Sequence, residues 1–235
     1  QKQKEESEFR SRVAADSELN KKYGKAWDEI ALAQQKQLTR YKESRYRSVR
    51  ASRLASLALS IVQYVAEVKK PDSQREDGFH DSQLESLRFG LFSPAPIYPQ
   101  MEIVLLANSL QEFVDALGAG DPFVKAALGG RSAADAARQV VEGTRLADPS
   151  FRKELVDGGQ AAVEASNDPM IVLARKIDPL DREMKKWMQD NVQSVLTSAG
   201  EKIGQARFAV YGKSAYPDAT FTLRLGYGVV KGYPM

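Results

Sequence analysis

Residues 54–68, LASLALSIVQYVAEV, decide how the rest of the chain is read. Leu54, Leu57, Ile61, Val65 and Val68 recur every three or four residues, the spacing that lines side chains along one stripe of an α-helix. Ser56, Ser60, Gln63 and Glu67 interrupt the run, so it falls short of the roughly 18 apolar residues that a membrane span needs. The most continuous apolar run elsewhere, residues 103–107, is shorter still. The chain therefore reads as helical, with its stripes buried against one another and no segment crossing a membrane.

Outward from that stretch the same period continues. Tyr23, Trp27, Ile30, Gln34, Leu38 and Tyr41 form a second stripe, which predicts one long helix capped by Asp16 or Ser17 and preceded by a short helix over residues 5–13. Pro71 and Gly78 mark one loop, and Pro94, Pro96 and Pro99 mark another before an apolar helix over residues 101–117. Four Asp-Pro pairs punctuate the second half, at 121–122, 148–149, 168–169 and 178–179. Asp caps a helix and Pro loses only an N–H that has no partner in the first turn, so at least three are expected helix starts. The pattern Leu173, Ile177, Leu180, Met184, Trp187 runs through the fourth, which is either a start or a kink within one helix. It continues as Val195, Ala199 and Ile203. No fixed repeat is visible.

Residues 220–229 break the pattern. There Phe221, Leu223, Leu225, Tyr227 and Val229 alternate with polar or small residues, the two-residue period of a half-buried strand. The expected fold is mainly α, an elongated helical bundle with a short C-terminal β segment.

Composition narrows the functional classes. The 235 residues are 43% hydrophobic and 28% charged, with a mean hydropathy of -0.43, as in globular proteins. Their 34 basic and 31 acidic side chains leave a net charge of +3, too small for overall charge to argue for nucleic acid or an anionic membrane. With no cysteine, disulfides, thiolate metal sites and cysteine nucleophiles are excluded. The first residues, QKQKEESEFR, resemble the middle of a charged helix and lack an apolar signal core, so the chain is expected to be an excised fragment.

Each candidate site has a plainer explanation. His80, the only histidine, lies beside Asp77 and Asp81 in a polar loop, but no Gly-x-Ser-x-Gly elbow occurs and one imidazole does not build a multi-histidine metal site. The tetrad YGKS at residues 211–214 has Arg207 where a phosphate loop requires glycine, and reads instead as a helix end at Gly212. Lys36, Arg40, Lys42, Arg45, Arg47, Arg50 and Arg53 face one acid, Glu43, with Tyr41 and Tyr46 interleaved. They spread around a helix, as a solvated or ion-paired face does, with an anionic partner as the alternative. Met170, Met184, Trp187 and Met188 follow a helical stripe and are assigned to core. The pairs Asp178 with Asp181 and Asp16 with Glu18 are assigned to helix starts, where the dipole favours them.

Residues 205–233, QARFAVYGKSAYPDATFTLRLGYGVVKGY, resemble a characteristic stretch of bacterial dipeptidyl-peptidases of the 7/11 type. Residues 15–30, ADSELNKKYGKAWDEI, and 166–179, SNDPMIVLARKIDP, are similar to the helical region of those enzymes. The resemblance implies a chymotrypsin-like double β-barrel with a Ser-His-Asp triad, into which a large helical domain is inserted, and the removal of dipeptides from free peptide N-termini. Residues 1–207 would be the helical capping or regulatory domain, and 208–235 the junction and strand leading into a barrel this chain does not contain.

On that reading no residue here is catalytic, none binds a metal and no cofactor is expected. Tyr216, Pro217, Asp218, Thr220 and Arg224 carry the family motif, with a structural role, a turn feeding a strand, assigned to them. The implied location is periplasmic or secreted. The implied partners are a peptide substrate and the catalytic barrel of the same polypeptide. A homodimer through the strand's unpaired edge is a further option. The fragment is expected to be inactive alone. The alternative function is a helical binding module that uses the basic patch of residues 36–53 for nucleic acid or an acidic partner.

Overall fold

A computed structural model of the protein describes residues 2–47, 49, 51–212 and 228–229. In chain order the helices are α1 (Lys2–Ala15), α2 (Ser17–Tyr23), α3 (Ala26–Thr39), α4 (Tyr41–Tyr46) and α5 (Arg53–Glu67). A 3-10 turn over Asp72–Gln74 follows, then α6 (Asp81–Leu91), α7 (Pro99–Leu117), α8 (Pro122–Leu128) and α9 (Ala133–Gly143). The last are α10 (Pro149–Asp157), α11 (Gly159–Ala165), α12 (Pro169–Met188), a π-helical turn over Gln189–Gln193, and α13 (Ser194–Tyr211). The protein is mainly α, with no strand among the described residues. Apart from Gly228 and Val229, the expected β segment at 220–229 lies outside those residues, as do the motif residues Tyr216, Pro217, Asp218, Thr220 and Arg224.

Local chemistry sets the helix starts. Asp16 Oδ1 accepts from the N–H groups of Glu18 and Leu19 at 2.9 and 3.0 Å, and Asp121, Asp148 and Asp168 cap α8, α10 and α12 with proline next in line. Each cap satisfies backbone donors that have no partner within the first turn. Pro179 instead sits inside α12, so the fourth pair is not a start.

The long helix expected through Tyr41 is three helices. Gly24 ends α2 where a Cβ would come 2.1 Å from Asn20 Oδ1 and 2.7 Å from the Asn20 carbonyl oxygen, and Arg40 at φ -114°, ψ 21° separates α3 from α4. These breaks are short enough to leave the apolar period visible in the sequence. At the other end, α13 stops at Tyr211 and Gly212 takes φ +58°, the left-handed conformation of a glycine helix end.

The described chain divides into two compact units. The first, residues 1–32 with 195–235, has a small core of Phe9, Val13, Tyr23 and Ala206. Phe9 meets the Trp27 ring edge-on at 5.6 Å between centroids and tilts against Tyr211 at 5.8 Å. Such pairs add about 0.5–1.5 kcal/mol beyond burial alone. Lys202 on α13 closes on Glu29 of α3 at 2.8 Å.

The second unit, residues 33–194, is built around α5, which packs against α6, α7, α10, α11 and α12. The stripe Leu54, Leu57, Ile61 and Val65 is buried as its period requires, but so are Ala58, Leu59, Val62 and Tyr64. A helix enclosed on nearly all sides must find partners for its polar residues inside the fold.

Candidate functional site

The polar interruptions of α5 become its most constrained side chains. Gln63 is 5% exposed and Glu67 is fully buried, both facing α12. Gln63 Nε2 donates to Asp178 Oδ1 and to Asp181 Oδ2, each at 2.9 Å. Arg182 donates through Nε to Asp178 Oδ2 at 2.9 Å, and through Nη1 to both Glu67 and Glu76. Lys185 closes on Asp181 at 2.6 Å and Lys70 on Glu67 at 2.6 Å.

Four carboxylates and three cations thus join α5, α12 and the loop after α5. Burial works against the Arg182 charge, but hydrogen bonds to Glu67 and Asp178, with the charges of Asp178 and Glu76, hold its pKa above the usual value. Burial likewise pushes the Glu67 carboxyl up, yet hydrogen bonds from Lys70, the Glu76 N–H and Arg182 hold it below the ordinary carboxylate value. Asp178 and Asp181 are consequently not helix-start residues: they sit mid-helix in α12, where their partners are Gln63, Arg182 and Lys185.

Two further buried charges escape sequence reasoning. Glu102 Oε2 accepts from Ser52 Oγ at 2.7 Å and the Leu54 N–H at 3.0 Å, holding the start of α5. Arg152 is fully buried and donates to the carbonyls of Leu91 at 2.7 Å and Ser93 at 3.0 Å, at the end of α6. Those carbonyls lack helical partners, so the guanidinium satisfies them. Burial, reinforced by the nearby Arg53 charge and opposed by Asp148, lowers its pKa.

The loop between α5 and α6 is pinned at many points. Arg75 donates to the Lys70 carbonyl at 3.0 Å and pairs with Asp81 at 2.6 Å, and Asp72 Oδ1 accepts the Asp81 N–H at 2.6 Å. Gln83 Oε1 takes the N–H groups of Gly78 and His80 at 2.9 and 3.3 Å. The pinned loop forms one end of a groove of about 570 Å³ between α5 and α6. Arg53, Ser56 and Ser60 line it from α5, and Ser82, Ser86 and Gly90 from α6. Leu57, Leu87 and Leu91 supply an apolar floor.

The residues singled out in the sequence do not converge there. His80 precedes α6 with Nδ1 3.0 Å from the Asp72 carbonyl oxygen and Nε2 3.7 Å from Asp77. The basic patch is divided: Arg40 pairs with Glu43 and covers the Trp187 ring, while Arg47 is buried against Asp121 at 2.8 Å. Lys42 and Arg45 are exposed, and Arg53 faces the groove. Met170 and Met184 are core. Among the described residues no acidic or histidine cluster has a metal-ligand arrangement, and no helix is long and apolar enough to cross a membrane. Comparison with known protein families matches residues 1–235 to the one described as Peptidase S46.

Proposed function

The chain belongs to the Peptidase S46 family, and from that premise we propose that it is the helical capping domain of a serine dipeptidyl-peptidase that releases dipeptides from peptide N-termini. The observation that carries the reading is the setting of the only histidine. The His80 ring faces the Asp72 carbonyl and the Asp77 carboxylate, and its partners among the described residues include no serine hydroxyl. A serine triad requires the imidazole between hydroxyl and carboxylate. On this reading the nucleophile and its base belong to a catalytic barrel, with residues 208–235 as the junction toward it.

In the complete enzyme the serine attacks the second peptide bond with histidine as general base, the C–N bond breaks as the shortened peptide leaves with the proton that histidine returns, and water then hydrolyses the acyl-enzyme to release the dipeptide. The cap contributes a wall that closes the cleft and limits how much chain lies beyond the scissile bond. The α5–α12 ion cluster and its pinned loop suit that task, because a wall that selects length must hold its shape. The reading carries a periplasmic or secreted location. A serine-directed fluorophosphonate probe tests it: the 235-residue chain stays unlabelled, and stoichiometric labelling of any of its serines would refute the role.

A further inference from the structure

We propose that the groove between α5 and α6 binds a peptide carboxylate, held by Arg53 and by the serine hydroxyls along the two helices. The choice of a peptide rests on the peptidase reading; the choice of a carboxylate rests on the groove itself.

Its charge is unbalanced. Arg53 is half-buried at the start of α5 and has no carboxylate within 4 Å among the described residues, unlike Arg40, Arg47, Arg75 and Arg182, which all have one. Behind the floor residue Leu91 lies a second guanidinium, Arg152, which touches backbone carbonyls only. A guanidinium without an ion-pair partner, with a second guanidinium behind it, favours an anion, and its fork matches a carboxylate with two parallel hydrogen bonds. The first N–H groups of α5 are not the site, since Glu102 and Ser52 already accept from Leu54 and Ala55.

Three serines of its lining are uncommitted. The hydroxyls of Ser60, Ser82 and Ser86 make no hydrogen bond to another described residue. Ser56 with Ser60, and Ser82 with Ser86, are spaced four apart, so each pair stands on one face of its helix. Gly90 is the third observation. Glycine inside a helix costs roughly 1 kcal/mol relative to alanine, yet a Cβ here would meet nothing within 4 Å. Packing therefore does not require the glycine, and its missing side chain leaves the groove open. The volume of about 570 Å³ suits a small ligand, whose sites run to roughly 300–1,000 Å³.

The test is an NMR titration of the full 235-residue chain with alanyl-alanine, its C-terminal amide, and an amidated glutamyl-alanine. The free dipeptide is expected to give saturable shifts centred on α5 and α6, with the Ala-Ala amide at least about tenfold weaker. Equal binding of the glutamyl amide shows that a side-chain carboxylate serves as well; its failure restricts the site to the peptide terminus. Arg53→Gln should weaken the carboxylate ligand by a similar factor. Gly90→Leu should block it while keeping the helical circular dichroism of the parent. No saturable shift up to about 50 mM, acid and amide binding alike, or Arg53→Gln leaving affinity unchanged would each overturn the proposal. None of these readouts measures cleavage, so a failure here leaves the capping role standing.

Discussion

Arg182 of α12 and Glu67 of α5, 115 residues apart in the chain, share a buried ion pair in which Glu67 has no exposed surface. The same guanidinium holds Glu76, so one side chain ties two helices and the loop that ends the groove. Breaking such a pair on one side leaves a buried charge uncompensated, which costs about 3–5 kcal/mol. Arg182→Met and Glu67→Gln are each expected to destabilise the chain by roughly that amount in urea unfolding. The double variant should recover part of the loss, giving a coupling energy above about 1 kcal/mol. Additive losses would contradict the arrangement.

The pair also sets an acid dependence. The Glu67 pKa is lowered in the folded protein from its ordinary 4.5, so the unfolded chain binds the proton first. Its contribution is complete above the unfolded value and is lost as pH falls through the lower, folded value. Urea midpoints of the parent should show no loss from this group between neutrality and pH about 5, then fall below about 4.5. Glu67→Gln should have a shallower acid limb, visible as converging midpoints.

At the end of α6, geometry matters more than charge. Arg152 reaches the carbonyls of Leu91 and Ser93 through two different nitrogens. Lysine keeps the charge but not the fork, and leaves a buried acceptor short of its donor. Arg152→Lys is expected to cost about 1–3 kcal/mol, measured as a lowered thermal midpoint. An unchanged midpoint would mean that the carbonyls find other donors.

Gly90 gives a change of the opposite sign. Its backbone is helical and a Cβ there meets open space, so Gly90→Ala should stabilise by about 0.5–1 kcal/mol. A thermal melt checks this, and destabilisation would show that α6 needs glycine for packing.

What the sequence revealed and what it concealed follow from the range of the interactions. The apolar stripes of α5 and α7 and the caps at Asp121, Asp148 and Asp168 were legible because helix period and capping act within a turn. Gln63 and Glu67 could be seen only as interruptions of a stripe, because their partners Asp178, Asp181 and Arg182 lie on a helix more than a hundred residues away. Asp178 beside Pro179 imitated a helix start, and only the burial of α12 shows its carboxylate as part of a cluster. Arg152 left no local signal at all, since backbone carbonyls carry no side-chain identity to read. The groove was invisible for the same reason: serines four apart are ordinary on a surface helix until a second helix faces them.

The most direct test of the capping role is turnover. The 235-residue chain, folded and at micromolar concentration, is incubated with dipeptidyl-aminocoumarin substrates with and without a serine-directed inhibitor. The account predicts no release of the fluorophore above buffer. Release that the inhibitor abolishes would contradict it, by showing that these residues carry a serine active site of their own.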